Sequence, residues 1–105
     1  MTEGPYKTRL IKKLRDRFPG CVILKNDAGY SQGIPDLVIL YNDRWAMLEV
    51  KAHLNAPTQP NQPYWVERLN EMSFAAFISP EIEEDVLNDL QQALEPRRST
   101  RFSKR

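Results

Sequence analysis

Apolar residues recur every three or four positions from Tyr6 through Leu10, Ile11 and Leu14 to Phe18. That spacing puts them on one stripe of a helix, predicted to start at about residue 3 or 5 and to end at 17. Pro5 is acceptable there only in the first turn, and Pro19-Gly20 closes the element. If the helix reaches back far enough, Glu3 falls on its buried face. Residues 21 to 25 predict a short strand, and Asn26 to Gly33 a polar loop. Two apolar runs, 36 to 41 and 45 to 51, predict a hairpin turning at Asn42-Asp43, residues that accept left-handed backbone geometry. A proline-rich polar stretch from 55 to 63 precedes a second helix with Trp65, Val66, Leu69 and Met72 on one face. Residues 73 to 78 predict a strand. Ser79 is placed to cap a third helix, with Pro80 at its first position and a stripe of Ile82, Val86, Leu90, Ala93 and Leu94. The order αβββαβα defines an α/β fold, a mixed central sheet flanked by helices with one more helix at the C-terminal end. The last crossover requires its two strands to be parallel and its hand to be right.

The chain has 105 residues, enough for one domain with a modest core, expected over residues 1–95. Residues 96–105 carry five basic side chains, no acid and little to bury, and are expected to form a disordered tail. The net charge of +1 conceals an asymmetry. Lys7, Arg9, Lys12, Lys13, Arg15, Arg17 and Lys25 crowd the N-terminal quarter, while Glu81, Glu83, Glu84, Asp85, Asp89 and Glu95 crowd the last helix. This suggests two basic regions open to a polyanion and an acidic helix kept away from it; a solvated helix face with a disordered tail is the plainer alternative. Cys21 is the single cysteine, which rules out an internal disulfide and argues for a small core residue. No apolar run has the length of a membrane span and no signal-peptide pattern opens the chain, so a cytoplasmic protein is expected.

Both hairpin strands carry charge at one end. Asp36 opens the first, and Glu49 and Lys51 close the second, where period-two alternation sends them to the same face. Pairing the strands brings two carboxylates and an ammonium together. Two adjacent acids do not both ionise comfortably without a counter-cation, and oxygen ligands suit a hard divalent ion such as magnesium. Taken singly, Asp36 reads as a strand-start residue and Glu49–Lys51 as a surface ion pair. Together, on apolar strands, they read as a site. His53, alone in a polar loop, is left outside it.

The ordered set Glu3, Gly33-Ile34-Pro35-Asp36, Glu49-Val50-Lys51 and Gln62 resembles the PD-(D/E)XK nuclease superfamily, and within it the small VRR-NUC group, over residues 3 to 78. The resemblance implies a restriction-endonuclease-like αβββαβ core. It implies Asp36, Glu49, Lys51 and Gln62 as catalytic residues, and Asp36, Glu49, the Val50 carbonyl and Glu3 as the metal set. Mg2+ would be the cofactor, with Mn2+ able to substitute and no organic cofactor. Lys51 would activate water or stabilise charge on the phosphate, two roles left open here, and Gln62 would orient it, although Asn61 and Gln62 also suit a helix cap. The partner would be DNA, with homodimers acting on junctions. The short format is similar to nucleases encoded by bacteriophages, which would place it in a bacterial host cell.

Contact with DNA is expected from Lys7 on the basic helix, from Lys25 and Asn26, and from Tyr30, Ser31 and Gln32 in the loop; Tyr30 could stack on a base or fill space beside the sheet. The resulting expectation is a magnesium-dependent endonuclease that is selective for branched, junction or flap DNA rather than sequence, or that nicks DNA. A non-catalytic nucleic-acid-binding module of the same fold is the alternative, and a small interaction protein is a third.

Overall fold

A computed structural model describes residues 2–26 and 32–96. The described chain runs α1 (Glu3–Arg17), β1 (Val22–Lys25), β2 (Leu37–Tyr41), β3 (Arg44–Val50), α2 (Gln62–Met72), β4 (Phe74–Ile78) and α3 (Glu83–Leu94). This is the order expected from the hydrophobic pattern. The Tyr30 and Ser31 positions and residues 97–105 of the basic tail lie outside the described residues.

Helix α1 does reach back to Glu3. Pro5 is tolerated because the first-turn amides have no partner within a helix, and the first backbone bond runs from Tyr6 N–H to the Thr2 carbonyl at 3.2 Å. Glu3 itself is exposed rather than on the buried face, because Tyr6, Leu10 and Leu14 define the inward stripe and Glu3 falls at its margin.

The sheet has the order β1-β2-β3-β4. β1–β2 and β2–β3 are antiparallel, and β3–β4 is parallel, as the crossover through α2 requires. The β2–β3 turn is the Asn42-Asp43 pair, with Asn42 at φ +59°. On one face Leu37, Ile39, Ala46, Leu48, Val50 and Ile78 pack with Tyr6, Leu10 and Leu14 of α1 and Val86, Leu87, Leu90 and Leu94 of α3. The opposite face bears Met47 and Glu49, and α2 covers it chiefly over β3 and β4. Met72, expected on the inner face of α2, is 60% exposed, and Gln62 is the helix's only buried residue. A helix laid over two strands at a sheet margin half-buries its apolar side chains.

α3 starts later than the sequence suggests. Pro80–Ile82 forms a 3-10 turn closed by Ile82 N–H on the Ser79 carbonyl at 3.2 Å, and the Ser79 hydroxyl makes no capping bond. The acidic helix packs against the basic one. Lys13 Nζ donates to Glu83 Oε2 at 2.5 Å, Tyr6 Oη to Glu83 Oε1 at 2.9 Å, and Arg17 reaches Glu84, Asn88 and Gln91. Lys13 and Arg17 therefore join α1 to α3, Arg9 lies over the Tyr6 ring, and Lys7, Lys12, Arg15 and Lys25 face elsewhere. Among the described residues no helix is long and apolar enough to cross a membrane.

Candidate active site

Strand register builds the site. Leu37 pairs with Leu48, so one step further sets Asp36 across from Glu49. Asp36 is fixed from three sides. The Val50 amide donates to Asp36 Oδ2 at 2.9 Å, the Asn26 amide donates to the Asp36 carbonyl at 2.8 Å, and Asn26 Nδ2 donates to the Pro35 carbonyl at 2.8 Å. Asn26, expected at DNA, thus has the structural task of bracing the Pro35-Asp36 backbone against the end of β1.

Glu49 and Lys51 share a face, and Gln62 links them. Gln62 Nε2 donates to Glu49 Oε2 at 2.8 Å, while Gln62 Oε1 accepts from Lys51 Nζ at 2.8 Å and from the Gln59 amide at 2.7 Å. The amide can point only this way, because an ammonium donates and a carboxylate accepts. Lys51 Nζ also donates to the Pro57 carbonyl at 3.1 Å and lies 3.9 Å from Glu49 Oε2. Glu49, Lys51 and Gln62 are all buried, at 3%, 8% and 8% exposure.

Gln62 owes its place to Gly33. Asn61, which precedes α2, has φ +71°, and Gly33, at φ +90°, lies so close that a Cβ on it would come within 2.7 Å of Asn61 Cβ and 2.8 Å of its carbonyl carbon. The Gly33-Ile34-Pro35-Asp36 segment therefore holds Asp36 at one end and the start of α2 at the other. Gly33→Ala adds both a left-handed strain and a backbone clash. We expect it to cost about 2–4 kcal/mol in urea unfolding. Gln62 should move with Asn61 and loosen its bonds to Glu49 and Lys51; a variant as stable as the wild type would overturn this linkage.

The electrostatics leave one demand unmet. Glu49 Oε1 is buried and has no hydrogen-bond partner among the described residues. Burial, then repulsion by Asp36, push the Glu49 carboxyl up to about 8, and the attraction of Lys51 offsets only part of this. A buried acceptor without a donor is costly. A divalent cation between Glu49 Oε1 and Asp36 would satisfy it, so the donor set present fits a hard metal ion. Two carboxylates supply the charge. The Val50 amide is at Asp36, on the strand segment from which its carbonyl would join them. Glu3 does not complete a cluster: among the described residues no three acidic, His or Cys side chains converge on one point.

Lys7 is the residue whose place the sequence did not reveal. Its ammonium is 3.4 Å from Asp36 Oδ1 and 3.8 Å from Glu3 Oε2. The Glu3–Lys7 spacing of four was a legible signal of their pairing; the approach to Asp36 was not. Lys25 and Gln32 are exposed, and His53 is exposed in the loop after Lys51. A groove of about 480 Å³ lined by Thr8, Ile11, Lys12, Arg15, Asp16 and Lys25 runs between α1 and β1, beside the Asn26 brace.

No protein-family model and no curated protein matches the chain. Among solved structures it is similar to one described as a VRR_NUC domain protein, at 19% sequence identity and a TM-score of 0.63, with 89% of this chain and 88% of that chain covered. The fold is therefore VRR-NUC-like, a mixed α/β fold with a C-terminal helix.

Proposed function

We propose that the protein is a magnesium-dependent DNA endonuclease that hydrolyses phosphodiester bonds in branched, flapped or nicked DNA, with two copies supplying the two cuts a junction needs. The observation that carries this reading is the buried Glu49–Lys51–Gln62 network beside the half-buried Asp36, with Glu49 Oε1 left unpartnered. Asp36 and Glu49 would hold the ion, with the Val50 carbonyl as a third ligand. When bound, the ion supplies a polarised phosphate oxygen and a more acidic water. Lys51 donates to two oxygens in the structure, so it acts here as a fixed positive charge beside the carboxylates. That arrangement supports stabilisation of the phosphate's developing negative charge. Gln62 and the Pro57 carbonyl prevent Lys51 from swinging onto Glu49 and neutralising it. The groove with Lys12, Arg15 and Lys25 offers phosphate contacts that carry no sequence information.

The test is a labelled panel of four-way junction, flap, single strand and duplex, incubated with Mg2+, Mn2+ or EDTA. Cleavage that requires a divalent ion and falls by about a hundredfold or more in Lys51→Ala supports the reading. DNA binding by the folded protein without cleavage of any substrate would replace it with the non-catalytic binding module.

A further inference from the structure

Asp36 has one carboxylate oxygen held by the Val50 amide; the other, Oδ1, faces the Lys7 ammonium at 3.4 Å. Glu49 likewise has one oxygen held, by Gln62, and the other without a partner. The two oxygens turned toward a cation are thus Asp36 Oδ1 and Glu49 Oε1, and Lys7 stands on the first of them. Lys7 is only partly exposed, its side chain retaining 24% of its accessible area, yet it hangs from α1 by a flexible stem with Glu3 as a second carboxylate one turn earlier. Ile11, one turn later on the same helix face, already lines the cationic groove.

We propose that Lys7 is an internal counter-ion of the metal site, which a divalent cation displaces from Asp36 and which DNA phosphate then captures. This rests on the nuclease reading and adds a residue whose role is to couple the two ligands. A lysine ammonium and a divalent ion cannot both sit against Oδ1, because like charges at that separation repel. An ammonium is a point charge with no fixed geometry, whereas a divalent ion gains from both oxygens at once. Once displaced, Lys7 reaches either Glu3 or a phosphate at the mouth of the groove. DNA that binds Lys7 therefore empties Asp36 for the metal. By linkage, metal strengthens DNA binding by the same factor as DNA strengthens metal binding.

The test measures Mn2+ binding to the full chain without DNA, by the loss of the free-ion EPR signal, for wild type, Lys7→Met, Lys12→Met and Glu49→Gln. Lys7→Met removes the competitor and should bind Mn2+ about three- to fivefold tighter, the scale of a partly exposed ion pair. Lys12→Met loses the same formal charge in the groove and should stay within about twofold of wild type, since screening weakens distant charges. Adding a phosphorothioate duplex should tighten Mn2+ binding to wild type and have little effect on Lys7→Met. If Mn2+ binding requires Glu49 but Lys7→Met binds no more tightly than wild type or Lys12→Met, the counter-ion role is overturned and the nuclease site stands. If wild type and Glu49→Gln bind Mn2+ equally or not at all, the metal site and this inference fall together.

Discussion

Glu49→Gln is expected to abolish metal-dependent cleavage and, in EDTA above pH 8, to make the protein more stable than wild type. The activity loss follows from removing one of the two carboxylates proposed to hold the ion, and a fall of about a thousandfold or more is expected. The stability gain follows from the environment of the carboxylate. Glu49 is 3% exposed, burial and then Asp36 raise its value to about 8, and Oε1 has no donor. A carboxyl raised on folding contributes stability that is whole below its unfolded value and is lost as pH rises through the folded one. In EDTA, wild-type stability should therefore decline between about pH 5 and pH 8. Glutamine keeps an oxygen for Gln62 and gains an N–H that can face Asp36, and it has no charge to desolvate. The variant should lack that decline and exceed wild type by about 1–3 kcal/mol at pH 8.5 in urea unfolding. A Glu49→Gln protein less stable than wild type at pH 8.5 would mean that the carboxylate serves the fold.

The second large effect concerns the other buried glutamate, and its sign is opposite. Glu83→Ala should destabilise the protein by about 2–3 kcal/mol, lowering Tm by on the order of 10 °C. Glu83 takes hydrogen bonds from Tyr6, which is wholly buried, and from Lys13, and so ties α1 to α3 across the core. Burial alone would raise its carboxyl, but the Lys13 and Tyr6 bonds outweigh burial and hold it below the ordinary range. A carboxyl lowered on folding contributes stability that is present above its unfolded value and lost as pH falls through the folded one. The variant should accordingly lose part of the acid sensitivity of the wild type. Tyr6→Phe, which removes one bond and leaves the charge pair, should cost about 1 kcal/mol. Thermal melts at pH 7 and pH 4 check both; a Glu83→Ala melt within a degree of wild type would show that the network contributes nothing to the fold.

These two glutamates separate structural from functional burial. Glu83 has donors on both oxygens, so its charge is resolved inside the fold. Glu49 has a donor on one oxygen and an acid beside it, so its charge finds no full partner inside the fold and the carboxyl is held protonated to higher pH. The local sequence points the wrong way: Glu49 lies between Leu48 and Val50, whereas Glu83 lies in the acidic run with Glu81, Glu84 and Asp85, where nothing local marks it as buried.

Much of the candidate site was nonetheless legible from the residues. Alternation along β3 places Glu49 and Lys51 together because a strand's side-chain direction is a local property of the backbone. The two-residue turn at Asn42-Asp43 then brings Asp36 opposite Glu49, because a tight hairpin leaves no freedom in register. Element order and the parallel crossover followed from the same local rules. What only the tertiary structure decided is which side chains meet across elements. The packing of α1 beside α3 turned Lys13 and Arg17 into partners of acids and put Lys7 against Asp36. The close approach of Gly33 to Asn61 put Gln62 between Glu49 and Lys51. Periodicity names the face a residue occupies, but the meeting of two faces depends on helix placement and on long side chains reaching across several ångströms. Those are set by the packing of the whole core, and no local stretch of sequence encodes them.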